Sequence, residues 1–149
     1  LIAMLAAAED GSRVAAALPA RARRFMAAFW PGPLTIIVPA REDLPEVLLG
    51  GGRTIGLRIP DHPAALALLR AAGRPLATTS ANLSGQPAAC TAAEAAEQLG
   101  DTVDLILDAG PCPGGTASTV VDCTVDPPAI LRDGPVTAAM LAAVSPGEA

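Results

Sequence analysis

Short apolar strand patterns alternate with helical patterns along this chain, and glycine or proline separates one from the next. The clearest strand is LTIIVP at 34–39, whose β-branched apolar residues predict a buried strand. Further strands are predicted at 1–5 (a strand end), 54–60, 75–80, 103–108, 117–122 and 129–132. Several are joined by short loops without a helix. The pattern therefore predicts an α/β (α+β) fold, a twisted mixed β-sheet with packed helices, in one domain over 1–149.

Capping residues delimit the predicted helices. Ser12 and Asp61 are candidate N-caps, Thr91 with Glu94 forms a capping-box pattern, and Gly73 is a typical helix stop. The predicted helices cover 12–18, 19–30, 61–73, 91–100 and 137–144, and a loop is predicted between 41 and 53.

Composition excludes several classes of protein. Of the 149 residues, 51% are apolar and 17% are charged, which is typical of a compact domain and not of a disordered chain. The net charge is −5, whereas proteins that bind nucleic acids typically carry an excess of positive charge. The charge therefore favours small-molecule chemistry. Three cysteines and one histidine make a poor zinc set, so we expect reduced thiols, no bound metal and a cytoplasmic protein. No apolar run is long enough to predict a membrane span.

The stretch PLATTSANLSGQP at 75–87 places small polar residues where a strand runs into a turn. Strand alternation predicts that Thr78 and Ser80 share one face, with Asn82 just beyond the strand and Gly85 allowing close backbone approach. Hydroxyls and N–H groups at such a strand end can hold phosphate or carboxylate oxygens. An ordinary polar turn, in which these side chains bond their own backbone, is the alternative.

Two arginines stand in strand patterns. Alternation in TIGLRIP places Arg58 on one face with Thr54 and Gly56, within an apolar run where a guanidinium needs an anion. That anion is either a ligand carboxylate or an acidic residue of the protein. Arg132 ends the strand pattern AILR, where a solvated arginine at a turn is the default interpretation.

A glycine pair precedes the third polar strand end, in GGTASTVVDC at 114–123. Gly114 and Gly115 lead into small hydroxyls, and Ser118 shares its predicted face with Val120. The single histidine, His62, has no nucleophile motif beside it and is interpreted as structural, and the common nucleotide and hydrolase fingerprints are absent from the sequence.

Five motifs in this order resemble one family. FWPGPLT, GLRIPDHP, TTSANLSG, GGTASTVVD and ILRDG are similar in sequence and spacing to the YrdC-like threonylcarbamoyl-AMP synthases, over about residues 1–140. The resemblance implies a YrdC-like domain that converts L-threonine, bicarbonate and ATP into threonylcarbamoyl-AMP and pyrophosphate. ATP would be a substrate, with Mg²⁺ as its default metal, and no tightly bound cofactor is implied. The partners would be these small molecules and, indirectly, tRNA and the machinery that transfers the threonylcarbamoyl group, with no membrane.

The resemblance also implies roles for individual residues. Ser80 and Asn82 match the family's Ser-x-Asn pair in the active site. Residues that match threonine contacts are Arg58, Thr78 and Ser118. Residues that match nucleotide contacts are Thr54, Ser80 and Arg132, and Thr35 is a weaker candidate.

Two departures from the family pattern stand out. Ala88 replaces a serine found in many relatives. The chain begins at Leu1 without the preceding segment that carries the family's Lys-x-Arg loop toward ATP, so we expect an N-terminally truncated domain with little activity alone. The alternatives within the fold family are a carbamoyl-transfer domain of a hydrogenase-maturation protein and a YciO-like paralogue. A double-stranded RNA-binding module is a third alternative, which the acidic charge disfavours.

Overall fold

A computed structural model describes residues 1–112 and 116–145 of the chain. These residues form two compact units. The first contains residues 1–78 and continues from residue 117, and the second runs from Thr79 to Thr116. Gly114 and Gly115, singled out above, lie outside the described residues.

The first unit is built on a six-stranded mixed sheet. Its strands are β1 (Ile2–Met4), β2 (Leu34–Pro39), β3 (Thr54–Arg58), β4 (Leu76–Thr78), β5 (Thr119–Asp122) and β6 (Ala129–Arg132). The spatial order is β4-β1-β3-β2-β5-β6. The pairs β1–β3 and β2–β5 are parallel, and the other three pairs are antiparallel. The predicted mixed sheet is therefore confirmed.

The helices are short and follow the predicted caps in part. They are α1 (Ala20–Phe29), α2 (Glu46–Leu49), α3 (Pro63–Ala72), α4 (Ala92–Leu99) and α5 (Ala138–Val144). Helix α4 belongs to the second unit. Gly73 ends α3 with a φ of 63°, in the left-handed region that glycine tolerates, as predicted. Thr91 caps α4 as predicted, since its hydroxyl accepts a hydrogen bond from Glu94 N at 3.2 Å.

The two faces of the sheet are covered unequally. Alternate residues of β2, namely Leu34, Ile36 and Val38, are fully buried on a face that packs against Phe25 of α1. The opposite face carries Thr35, which is buried, and Ile37, which is only half-buried. Because strand neighbours point to opposite faces, the helices cover one side of the sheet and leave the other partly open.

This arrangement predicts different costs for two neighbouring substitutions. Ile36→Val removes a methylene from the closed core and is expected to lower the free energy of unfolding by about 1 kcal/mol. Ile37→Val removes the same group from the partly open face and is expected to cost less than about 0.5 kcal/mol. Urea unfolding of both variants measures the difference, and equal losses would contradict the assignment of the two faces.

The predicted strand at 103–108 is wrong. These residues have no strand structure, and Leu105 and Leu107 are 81% and 59% exposed. A strand must pair its backbone N–H and C=O groups with a neighbour, and no strand pairs with this segment in the described part of the chain. Apolar composition alone was therefore an insufficient signal.

Several predicted boundaries also need correction. Ser12 caps no helix: a 3₁₀ helix covers Ala8–Arg13, and the Ser12 hydroxyl donates to Glu9 O at 2.8 Å. The N-cap of α3 is His62 rather than Asp61, without a side-chain hydrogen bond. The predicted loop at 41–53 contains α2.

The capping box at α4 differs from the predicted one in its second bond. The Glu94 carboxylate accepts from Cys90 N at 2.7 Å, one residue before the N-cap. The helix start is still satisfied from both sides because the N-cap hydroxyl and the N3 carboxylate each accept a backbone N–H.

Candidate functional site

Arg58 lies at the carboxyl end of β3 on the partly open face of the sheet. It is half-buried, and its Nε donates to the Gly32 carbonyl at 2.9 Å. Its terminal amino groups make no hydrogen bond or ion pair with any residue that the structure describes. Within that part of the chain, the internal salt bridge that the sequence left open is not formed, and the fork of the guanidinium is available to a ligand.

The loop between α1 and β2 holds Arg58 in place. Gly32 N donates to Ile59 O at 2.9 Å, while Gly32 O accepts from Arg58, so this glycine is fastened to both residues at the end of β3. A Cβ at position 32 would collide with the Phe29 carbonyl, which explains the glycine. The sequence indicated only that the Pro-Gly-Pro segment ends a helix. Only the tertiary structure shows that the Gly32 carbonyl accepts a hydrogen bond from Arg58.

Ser118 and Arg132 form a hydrogen-bonded group on the same sheet face. Arg132 Nε and Nη2 donate to the Ser118 carbonyl at 2.9 and 2.7 Å, and Nη2 lies 3.0 Å from Ser118 Oγ. Ser118 Oγ is also 2.8 Å from Thr35 Oγ1, and both hydroxyls are buried. Arg132 is exposed, as the default interpretation of a solvated arginine expects, but its side chain is also hydrogen-bonded to the polar strand end.

A β-bulge directs Arg132 toward this face. The register pairs Val121 with Ile130 but Val120 with Arg132, so Leu131 is an extra residue in β6. Regular pairing would place Arg132 opposite Thr119, whose side chain is on the closed face. Bulges commonly redirect side chains in this way near functional sites.

No carboxylate of residues 1–112 or 116–145 compensates the positive charge of these two guanidiniums. Burial and, secondly, the positive charge of Arg132 lower the pKa of the Arg58 guanidinium from its usual value, although an arginine stays protonated at neutral pH. Backbone carbonyls, and no carboxylate of the described residues, hold both side chains. Neutral acceptors fix the geometry without cancelling the charge, so this face is suited to bind anionic groups.

The other predicted contacts on this sheet are placed less closely. Thr78 lies on the same face, and its hydroxyl donates to Ile2 O at 3.1 Å. Thr54 is exposed at the opposite end of β3 from Arg58, about 13 Å away along the strand. Thr35, the weaker candidate, lies closest to the group because of its bond to Ser118.

Ser80 and Asn82 belong to the second unit. Strand β4 ends at Thr78, so the predicted shared strand face of Thr78 and Ser80 is wrong. Asn82 Nδ2 donates to Leu83 O at 2.8 Å and Gln86 O at 3.0 Å, so it does stabilise its own turn. Its Oδ1 is buried and has no hydrogen-bond partner within the described residues, an acceptor that a polar-turn role leaves unexplained.

The possible metal ligands are dispersed over the described residues, and the three cysteines are free thiols. Over 1–112 and 116–145, no three His, Cys, Asp or Glu residues are grouped to hold a metal ion. Cys90 and Cys112 are exposed, whereas Cys123 is buried, and burial raises the pKa of the Cys123 thiol to about 12. A thiol with this pKa stays neutral at physiological pH and is not a nucleophile. None of the described helices is long and apolar enough to cross a membrane.

Comparison with known proteins gives consistent matches. The Sua5/YciO/YrdC family model, described as "Telomere recombination", matches residues 1–134. The chain is 41% identical to the threonylcarbamoyl-AMP synthase of Bacillus subtilis (strain 168) over 127 residues, covering 85% of this chain and 37% of the relative. It is 40% identical over 134 residues to the protein of the same name from Pyrococcus abyssi (strain GE5 / Orsay), covering 90% and 39%.

Solved structures agree on the fold. The crystal structure of P. abyssi Sua5 complexed with L-threonine has a TM-score of 0.93 at 38% identity, covering 99% of this chain and 43% of that one. E. coli YciO has a TM-score of 0.79 at 32% identity, covering 90% and 65%. Full-length HypF, in a phosphate- and nucleotide-bound form, has a TM-score of 0.70 at 18% identity, covering 89% and 21%, which shows a shared fold alone.

The chain thus spans well under half the length of the two synthases described above. The family match nevertheless extends over both compact units. Together with the mixed sheet and the arginine group on its open face, it shows that this chain belongs to the Sua5/YciO/YrdC family.

Proposed function

We propose that this chain is the YrdC-like domain of an L-threonylcarbamoyladenylate synthase, and that residues 1–149 act as one domain. The observation that carries the proposal is a pair of arginines on the partly open sheet face, which among the described residues are held by carbonyls and a hydroxyl and by no carboxylate. The reaction brings together a carboxylate, a carbamate and a triphosphate, and such anions need uncompensated cations in fixed positions. The relatives named threonylcarbamoyl-AMP synthase supply the reaction.

Within this proposal, Arg58 binds the threonine carboxylate. Its two terminal amino groups are available, and their planar fork matches the two carboxylate oxygens. Ser118 and Thr78 contact the rest of the amino acid. Thr35 orients the Ser118 hydroxyl, because the two Oγ atoms are 2.8 Å apart.

Arg132, Thr54 and Ser80 bind the nucleotide, and Ser80 with Asn82 forms the catalytic pair. These assignments come from the motif resemblance. The charge of Arg132 supports its role, and among the described residues the buried Oδ1 of Asn82 has no hydrogen-bond partner of its own.

The proposed chemistry needs no covalent nucleophile from the protein. The threonine amine condenses with bicarbonate to give a carbamate and water. A carbamate oxygen then attacks the α-phosphorus of ATP, and the bond from that phosphorus to the β-phosphate oxygen breaks, so that pyrophosphate leaves. The residues position the reactants and stabilise the charge on the phosphoryl oxygens. We further propose that ATP enters with Mg²⁺, that the adenylate serves tRNA modification through other proteins, and that the enzyme is cytoplasmic.

Binding of L-threonine tests the proposal, and L-valine is the matched control because a methyl group replaces the hydroxyl. Calorimetric titration of the chain is expected to give at least about tenfold weaker binding for L-valine, since a buried polar contact is lost. Equal binding of the two amino acids, or binding of neither, would contradict the proposed substrate.

Turnover is a separate readout of the same proposal. Pyrophosphate release from ATP that requires both L-threonine and bicarbonate would support the reaction directly. If L-threonine binds but longer relatives alone turn over, the expected low activity of this chain is confirmed. If the chain binds ATP but not L-threonine, a YciO-like or carbamoyl-transfer activity would fit the result instead.

A further inference from the structure

Thr119 carries a buried hydroxyl that the proposed reaction does not use. The residue is 0% exposed and lies beside Ser118, on the closed face of the sheet. Its Oγ1 donates to Val136 O at 2.8 Å and accepts from Val136 N at 3.0 Å, so both of its hydrogen-bonding functions are used by one residue. These two hydrogen bonds of the Thr119 hydroxyl fasten the segment after β6 to the start of β5.

Gly134 lies in the same segment and makes an even closer backbone contact. A Cβ at this position would collide with Thr119 N and would lie 2.7 Å from Ala117 O and 2.8 Å from the Ser118 carbonyl carbon. The chain after β6 therefore crosses directly over the peptide groups of residues 117–119, and only glycine permits that approach.

The peptide under this crossing is the one that holds Arg132. Its Ser118 carbonyl accepts from Nε and Nη2 of the guanidinium, and its Thr119 N–H donates to Pro33 O at 2.9 Å. No carboxylate of the described residues pairs with Arg132. The position of the guanidinium consequently depends on the position of the Ser118–Thr119 peptide.

We propose that Thr119 is a positioning residue whose hydroxyl, through Val136 and the Gly134 crossing, fixes the Ser118 carbonyl and thereby Arg132. The inference rests on the proposed function for its effect on nucleotide binding, but its structural part stands without it. Valine has nearly the same shape as threonine but lacks the hydroxyl. A substitution of Thr119 by valine therefore tests the hydrogen bonds of the hydroxyl separately from the packing of the side chain.

Thr119→Val removes both bonds and preserves shape, and Thr119→Ser keeps the hydroxyl. The first readout is the ¹⁵N-edited NMR signal of Arg132 Nε–H, assigned by its loss in Arg132→Lys. We expect a shifted or broadened signal in Thr119→Val and a nearly unchanged one in Thr119→Ser. The second readout is ATP affinity, expected to fall on the order of tenfold in Thr119→Val and by less than about twofold in Thr119→Ser.

Val121→Ala is the matched control for stability. Val121 is 0% exposed on the same strand and face and belongs to the same core cluster as Val136, but it has no hydroxyl to bond the backbone of that segment. It is expected to lower the melting temperature at least as much as Thr119→Val while leaving the Arg132 signal and the ATP affinity near wild type. An unchanged Arg132 signal in Thr119→Val, or an equal change in Val121→Ala, would overturn the inference.

The two readouts separate the inference from the proposed function. If the wild-type chain binds no ATP, the proposed function fails, and the NMR comparison still decides whether Thr119 fixes Arg132. If ATP binds and only the NMR comparison fails, the proposed function stands and Thr119 is merely a packing residue.

Discussion

Arg58→Ala is expected to weaken L-threonine binding about 100-fold while ATP binding changes by only a few-fold. The guanidinium is half-buried, its Nε is held by Gly32 O, and its terminal amino groups are available to a ligand. Loss of charge-assisted hydrogen bonds to a ligand costs roughly 1.5–3 kcal/mol, and about 1.4 kcal/mol corresponds to a tenfold change in affinity. Calorimetric titration with each substrate measures the two effects.

Two further variants sharpen that result. Arg53→Ala removes an arginine that is 90% exposed and only loosely paired with Glu42 at 3.7 Å, so it controls for net charge and is expected to bind both substrates normally. Arg58→Lys keeps the charge but not the planar fork and is expected to recover only part of the affinity. Equal loss of threonine and ATP binding in Arg58→Ala would contradict the carboxylate assignment.

Arg132→Ala is expected to show the opposite preference, with ATP affinity lowered about 100-fold by the same reasoning on charge-assisted bonds. Threonine affinity should fall by a smaller factor, because the guanidinium also supports Ser118 Oγ at 3.0 Å. Burial is the main cause of the lowered pKa of Arg58, and removal of the Arg132 charge relieves the second cause, the repulsion between the two guanidiniums. KM values for ATP and threonine, or titrations where turnover is low, provide the measurement.

The control for Arg132 is Arg70→Ala, an exposed arginine in the last turn of α3. It changes the net charge equally and is expected to leave both affinities unchanged. A larger loss for threonine than for ATP in Arg132→Ala would exchange the roles proposed for the two arginines, and no loss for either would remove Arg132 from the site.

Local sequence patterns predicted the strands correctly where the segment pairs with neighbouring strands in the sheet. The LTIIVP run is β2 with the predicted bounds, and the strand pattern AILR is β6. The run VDLILD has a similar composition but forms no strand, because pairing depends on a partner that composition does not encode. The same limit shortened the predicted strand at 75–80 to β4.

The sequence predicted which residues belong to the candidate site but not which residues hold them in place through hydrogen bonds and close backbone contacts. Arg58 was identified because a guanidinium in an apolar strand needs an anion. The sequence analysis missed the contributions of Gly32, Thr119 and Gly134. A glycine or a buried threonine carries no local signal of which distant segment packs against it. The pairing of Arg132 with Val120 depends on one bulged residue, which reverses the face that simple alternation assigns.

By itself, the sequence determined the class of fold, most strand and helix positions, and the chemistry available at the polar strand ends. Those properties follow from periodicity, caps and side-chain type, which act between near neighbours. Only the tertiary structure decided the strand order, the open face and the acceptors that hold both arginines. The bonds responsible join residues 26 and 83 positions apart, such as Arg58 to Gly32 and Thr35 to Ser118, and no local pattern specifies such distant partners.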